Sequence, residues 1–402
     1  MSTIEAPQPG PSSAVADAGF GPLDPRLEAI GRRVSADAVS IEAARRLPAD
    51  VVDALIDTGV FRSWVPAAHG GGERPLAELL RDIEHTAYHD GSLGWCVMIG
   101  GTSSLLSGFL DPHWARTVFG DPRAVIGGYA MPQGTARVVD GGLEVTGRWP
   151  WGSGTDHCTW IGGGVLVVDD DGKPTARADG LRAPYVLFPA EAVEIVDVWR
   201  TSGLRATASN DYQVTKLFVP EGCWGEFLRA APVADGPLYR LPFTAALGLG
   251  VACVGLGLAR RALDELVTVA STKKPALSSK VLAERATVQA DVARAEARMG
   301  AASSYLRELV ADAWDRAERG DAPTADQRRR LRLAATFAME SAATCVDACY
   351  HAAGGSAIWE DAALQRVFRD VHVATQHGMV APRTLEPIGR MRLGLPTDAG
   401  QF

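Results

Sequence analysis

The chain has 402 residues, of which 47% are apolar and 22% charged, with six cysteines and a formal net charge of −8. These values exclude a collagen, a disulfide-stapled miniprotein and a largely disordered chain, and the length allows up to three domains with real cores. A nucleic-acid partner is disfavoured too, because such affinity draws on clustered Lys and Arg and the longest basic block is Arg328 to Arg330.

Residues 1–23 are rich in Pro, Gly, Ser and Ala without hydrophobic periodicity and read as a disordered leader. A first helical domain is expected over 24–119. Leu27, Ile30, Val34, Ala38 and Ile41 recur at helical spacing, and Leu47-Pro48-Ala49-Asp50 reads as a helix start. Phe61 to Pro75, with Pro66 and three consecutive glycines, breaks the helical pattern and reads as a surface loop. A small β domain is expected over 120–232, with runs at Glu144–Trp149, Thr159–Val168, Ala192–Val198 and Tyr212–Val219. A helical bundle of four or so long helices is expected over 233–402, with apolar faces at Val288–Leu309 and Leu331–His351. Leu241 to Ala259 carries no charge, but it is broken by Pro242 and four glycines and continues into Arg260 and Arg261. It reads as a buried bundle helix, with no membrane association expected.

The cysteines, Cys96, Cys158, Cys223, Cys253, Cys345 and Cys349, form no Cys-x-x-Cys pair and read as reduced core thiols of a cytoplasmic protein. His85 and His89 have helical i, i+4 spacing without the His-Glu-x-x-His order of a zinc protease, and read as a surface helix. His372 and His377 are about 140° apart around a helix, which disfavours a shared metal, so no metal is expected. Gly248, Gly250, Gly255 and Gly257 follow no strand signal and are read as helix-packing residues, not a dinucleotide loop. No Gly-x-Ser-x-Gly or Walker motif occurs, which removes the common hydrolase and NTPase readings.

The sharpest segment is Gly147–Trp160, GRWPWGSGTDHCTW, where indole faces, close-approach glycines and the Ser153 hydroxyl could receive a flat ligand or could simply build an aromatic hairpin. The second is Leu364–His377, LQRVFRDVHVATQH, in which Asp370 reads as a structural ion-pair partner. Together with GGYAMPQGTARVVDGGLEVTGRW (127–149), WRTSGLRATASNDYQVTKLFVPE (199–221) and CYHAAGGSAIWEDAALQRVFRD (349–370), these segments resemble the acyl-CoA dehydrogenase superfamily. The closer resemblance is to its flavin-dependent monooxygenase branch, such as 4-hydroxyphenylacetate hydroxylase oxygenases and dibenzothiophene monooxygenase.

The resemblance spans about residues 24–392 and implies an α+β, mainly α fold. N-terminal helices, a central β-barrel or sandwich and a C-terminal four-helix bundle would follow in that order. It implies an oxygenase component of a two-component system, in which reduced FMN, or alternatively FADH2, reacts with O2. The resulting C4a-hydroperoxide would oxygenate a small aromatic substrate, hydroxylation being the first expectation and N- or S-oxygenation the others. An NAD(P)H-dependent flavin reductase and a homotetramer are implied as partners. By motif, Ser153 is implied as a hydroxyl donor toward flavin N5, and Trp151 and Trp160 frame the same flavin-facing turn. His377 is implied to face the reactive edge, acting on the peroxide or on a substrate proton. Lys273 stands where dehydrogenases place an arginine on the flavin phosphates of a neighbouring subunit. Trp95 and Tyr129 are weaker candidates, for the substrate-pocket wall and the flavin surround. A dehydrogenase would carry a catalytic glutamate just after His377, where this chain has Gly378-Met379; Glu386 is the nearest acid in the tail. An FAD-dependent acyl-CoA dehydrogenase and a flavin-less binding protein are the alternatives.

Overall fold

The computed structural model describes residues 24–227, 231–276, 278–398 and 402; the expected leader lies outside them. Helix α1 (Pro25–Ala36) starts where Asp24 accepts the Arg26 amide and Pro25 occupies the first turn, and it buries Leu27, Ile30 and Val34. After α2 (Ala38–Ala44), α3 (Ala49–Thr58) begins at the expected Pro48-Ala49 step and stops at Gly59 with φ 78°. The glycine-rich segment that follows is not a plain surface loop. It folds back on itself, so that Phe61, Trp64 and Val65 are buried. Helices α4 (Leu76–His89) and α5 (Gly91–Ser103) then meet at Asp90, whose carboxylate caps α5 through the Leu93 amide, and α6 (Pro112–Phe119) leads into the strands.

Among the described residues seven strands form one mixed sheet in the order β5-β6-β2-β1-β3-β4-β7. They are β1 (Ile126–Val139), β2 (Gly142–Gly152), β3 (Trp160–Val168), β4 (Tyr185–Pro189), β5 (Glu194–Val196), β6 (Asn210–Pro220) and β7 (Trp224–Gly225). Only β1 and β3 run parallel. These strands form one continuous hydrogen-bonded sheet, the expected central β domain. Its own core includes Trp149, Phe188 and Tyr212. Two irregularities matter below. The β1–β3 ladder slips between Tyr129 and Gly134, and the β2–β6 ladder slips between Trp149 and Gly152.

Helices α7 (Phe243–Thr272), α8 (Ala286–Glu318), α9 (Ala325–Ala353), α10 (Ala363–Ala374) and the short α11 (Leu385–Arg392) complete the chain. Thr324 and Gln327 form a capping box at the start of α9. By length and composition α7 could cross a membrane, yet 78% of its most apolar window is buried against protein. Its glycines are contact points between helices. A Cβ at Gly257 would lie 2.2 Å from the Glu84 carbonyl oxygen of α4, and one at Gly250 would lie 2.9 Å from Met98 of α5. This close approach of α4 and α5 to α7 fixes the helix that carries Trp95 beneath the bulged end of β2.

Candidate active site

The site is built where the bulged end of β2, the 203–209 loop, α5 and the turn after α10 converge. Regular alternation would put Trp149 and Trp151 on one face of β2. The ladder slip and the left-handed φ of 58° at Trp151 separate them. Trp149 is fully buried, stacks on Tyr212 and donates its Nε1–H to the Gly164 carbonyl at 2.7 Å. It belongs to the sheet core and offers no face to a ligand. Trp151 is 59% exposed and meets Tyr129 edge-on with ring centroids 5.7 Å apart. A large side chain held in the left-handed region costs on the order of 1 kcal/mol, and such strain concentrates at functional sites.

Ser153 follows, buried, its backbone amide bonded to the Trp151 carbonyl at 2.8 Å. Its hydroxyl accepts the indole N–H of Trp95 at 3.0 Å and shares a hydrogen bond with the Ser209 hydroxyl at 2.7 Å. Ser209 in turn lies 2.6 Å from the Thr207 hydroxyl, and Thr207 Oγ1–H donates to the Leu204 carbonyl at 2.8 Å. Each hydroxyl has one proton to give. Thr207 spends its proton on the carbonyl, so Ser209 donates to Thr207 and Ser153 donates to Ser209. The chain therefore has a direction, from the Trp95 indole through three hydroxyls to a carbonyl, and it leaves Ser153 with a spare lone pair and no spare proton.

The loop that holds this chain is itself strained, with Leu204 at φ 49° and Ala208 at φ 44°. It is tied down from the helices. Asp370 of α10 accepts the Leu204 amide at 2.6 Å, and Ser92 of α5 accepts the Ala206 amide at 3.2 Å. Burial, and then the neighbouring Asp90 carboxyl, pushes the Asp370 carboxyl up to about 7. Asp370 is thus a buried clamp on the Ser209 loop, a structural role as expected, though through a backbone amide and not an ion pair.

His377 sits in the turn after α10, half-buried, its ring 5.5 Å from that of Trp95 and nearly perpendicular to it. Enclosure by protein, and then the nearby Arg332 and Arg383 charges, brings the imidazole down to about 4, so it is neutral at pH 7. Its Nδ1 accepts the Met379 amide at 3.3 Å. In a neutral ring that assigns the proton to Nε2. Trp95, weighted only as a pocket wall from sequence, therefore touches both Ser153 and His377.

The other expected residues are placed differently. Trp160 does not frame the turn with Trp151; its ring packs edge-on against Trp114 of α6, centroids 6.5 Å apart. The Lys273 ammonium donates to the Ala353 carbonyl at the end of α9, at 2.6 Å, and has no contact here with the Ser153 chain. Glu386 is exposed on α11, so it supplies no carboxylate beside His377. His85 and His89 do not form a free surface pair. Both face Glu28 of α1, with His89 Nε2 3.1 Å from Glu28 Oε2 and 3.3 Å from His85 Nε2. Burial works against the ionised Glu28, but hydrogen bonds from Arg32, His89 and His85 outweigh it and hold the carboxyl down at about 2. A cleft of about 510 Å³ opens beside that cluster and is lined by Arg32, Tyr88, His89 and Arg261 among others, but by none of Trp95, Ser153 or His377.

A reduced flavin fits the Ser153 region. Trp151 offers aromatic surface that the sheet core does not use, beside Tyr129 at the margin of that core, and the strained bulge holds it next to a buried hydroxyl with an uncommitted lone pair.

Comparison with known proteins agrees. Residues 249–382 match the family model described as acyl-CoA dehydrogenase, C-terminal domain. The chain is 31% identical to indole-3-acetate monooxygenase of Pseudomonas putida over 386 residues, 96% of each chain. It is 29% identical to a flavin-dependent monooxygenase oxygenase subunit of Rhodococcus jostii, over 92% of this chain and 98% of that one. The structure of XiaF from Streptomyces sp. in complex with FADH2 and glycerol matches with a TM-score of 0.86 at 27% identity, covering 92% of this chain and 94% of that one. The chain is thus an oxidoreductase that uses reduced flavin and O2. At 31% identity to such a monooxygenase over nearly the whole of both chains, it belongs to the flavin-dependent monooxygenases of the acyl-CoA dehydrogenase superfamily.

Proposed function

We propose that this oxygenase acts on a small aromatic substrate, with Ser153 and His377 as the two groups that touch the reacting centre. The observation that carries this is the directed chain from Trp95 through Ser153, Ser209 and Thr207 to the Leu204 carbonyl. Bound reduced flavin supplies the electrons that activate O2. The residues supply position, hydrogen bonds and exclusion of water.

Ser153 would hold the flavin by accepting its N5–H into the spare lone pair. This reverses the donor role that the family resemblance implies. Were Ser153 to donate outward, Ser209 would have to turn back toward it, and the buried contact between Ser209 and Thr207 would face oxygen to oxygen without a proton. Losing such a buried hydrogen bond costs about 1–3 kcal/mol. His377 would present Nε2–H to an oxygen at the reacting centre. With Nδ1 occupied by the Met379 amide, it has no free basic nitrogen, which favours a donor role over abstraction of a substrate proton. Trp151 and Tyr129 would pack along the flavin, Trp95 would orient Ser153 and wall the substrate, and Lys273 would reach the flavin phosphates of a neighbouring subunit in a homotetramer. Trp160 would support that turn only indirectly, through α6.

The substrate class rests on the aromatic surround and on the Pseudomonas relative, which is named for indole-3-acetate. Hydroxylation is the first reaction to test, with either FMN or FADH2; the XiaF complex carries the latter. Supply of reduced flavin by a separate NAD(P)H-dependent reductase accords with the oxygenase-subunit name of the Rhodococcus relative. A cytoplasmic location suits the six free thiols. The division into helical, β and bundle domains at about 119 and 232 is part of the same proposal. The test is product analysis with the purified chain, a flavin reductase, NADH, each flavin in turn and a panel of aromatic substrates under 18O2. Labelled product requires the chain; unlabelled product, or only H2O2, contradicts the reading.

A further inference from the structure

Arg332 lies on the first half of α9 and is 8% exposed. Arg329, equally buried one turn earlier, pairs with Asp326 at 2.7 Å, and the largely enclosed Arg74 pairs with Asp82 at 2.7 Å. Arg332 has no carboxylate partner among the described residues. Its Nη1 meets only the Met379 thioether, at 2.9 Å, and its Nε has no hydrogen-bond partner among the described residues. A thioether is a weak acceptor that carries no charge, so this largely buried guanidinium has no anionic partner among the described residues. Burial, and then Arg383, pushes it down to about 10, as an unanswered cation requires.

Its position gives this a meaning. Met379 contacts Arg332 through sulfur and donates its amide to His377 Nδ1, so the guanidinium and the imidazole share one residue. Across from them stands Gly248 of α7, where a Cβ would lie 3.7 Å from Arg332 Nη1 and 3.8 Å from Met379. A Cβ there would already touch the guanidinium, so the glycine keeps α7 from covering the charge. A planar fork of donors in a buried, water-poor place is matched by a carboxylate.

We propose that Arg332 anchors a carboxylate carried by the substrate, so that the enzyme selects aromatic acids over neutral aromatics. This rests on the monooxygenase reading and names its substrate class. A flavin phosphate shares the same anionic chemistry. The substrate is favoured because Arg332 faces the His377 turn, whereas Lys273, assigned to the phosphates, lies at the far end of α9.

The test is equilibrium binding to the flavin-loaded full chain by calorimetry, using indole-3-acetate, phenylacetate and benzoate, each paired with its carboxamide. For at least one pair the acid binds about 10- to 100-fold tighter than the amide, and Arg332→Gln abolishes that preference without changing the affinity for the amide. Flavin affinity is measured in parallel. A fall in flavin affinity with no change in acid preference assigns Arg332 to the phosphate and overturns the proposal. Arg332→Met is the second variant. Because it removes an unpaired buried charge, the substrate-free protein melts no lower than wild type while the acid preference is lost. If every acid and amide pair binds alike in the wild type, the proposal fails, and if neutral aromatics are then oxygenated efficiently the monooxygenase reading survives it. If neither acids nor neutral aromatics are oxygenated and reduced flavin does not bind, it is the reading of the site that has failed.

Discussion

The two walls of the active site hold their functional groups by different means. On the β wall, Trp151 and Ser153 are placed by irregularity: a ladder slip, positive φ at Trp151, Leu204 and Ala208, and a chain of hydroxyls with one allowed direction. On the helical wall, Trp95 is placed by regular packing, α5 being wedged against α7 where a Cβ at Gly250 would meet Met98, and His377 by the turn that closes α10 against it. Strain and directed hydrogen bonds fix orientation, which flavin contacts need; packing fixes position and dryness, which the reacting centre needs.

Substitutions can separate these two contributions. The largest effect is expected from Ser153→Ala, which removes the proposed flavin contact and leaves the Trp95 indole N–H without its partner. Product formed per NADH consumed falls about 10²- to 10³-fold, with H2O2 in its place. His377→Gln acts from the helical wall and lowers coupled oxygenation about 10²-fold, with little change in flavin affinity. Asp370→Ala breaks the clamp that joins the walls. It costs about 1–3 kcal/mol in denaturant unfolding, because the Leu204 amide is left unpaired, and it lowers coupling as a consequence. Trp151→Gly releases the left-handed strain, so stability rises by up to about 1 kcal/mol while flavin binding weakens, an opposition that a purely structural tryptophan would not show.

The pH dependence has a definite sign for each buried group. His377 and His157 are both lowered from 6.5 to about 4, by enclosure above all. These two imidazoles therefore bind more protons in the unfolded chain than in the folded one between those values. Their contribution to stability is complete above pH 6.5 and is lost as pH falls toward 4, and His157→Phe removes part of that loss in a series of melts. The Asp370 carboxyl, raised from 3.8 to about 7, acts in the opposite sense and adds stability as pH falls from 7 toward 4.

What the sequence made legible was whatever depends on local pattern. The helix start at Ala49, the apolar faces of α8 and α9, the packing glycines of α7 and the GRWPWGSG motif can all be read from neighbours in the chain. The partners of Ser153 could not be. Ser209 and Thr207 are common residues in a polar loop, made relevant by contact with a motif more than fifty positions earlier. Trp149 and Trp151 look alike in sequence; only the slip between β2 and β6 sends one into the core and the other outward. Strand β1 escaped notice because its Gly-Gly and Met-Pro steps hide the alternation on which strand reading depends. Arg332 was hidden in the basic run 328–332, which reads as a solvated face until burial distinguishes its members.

The most direct measurement is anaerobic stopped-flow mixing of the chain with reduced FMN, and separately FADH2, against oxygenated buffer, following flavin absorbance in wild type and Ser153→Ala. The account predicts a near-ultraviolet-absorbing flavin adduct that outlives the same species in free solution and is shortened in Ser153→Ala. If both flavins oxidise beside the protein as fast as they do without it, the site described here does not shelter the reaction, and the central claim is wrong.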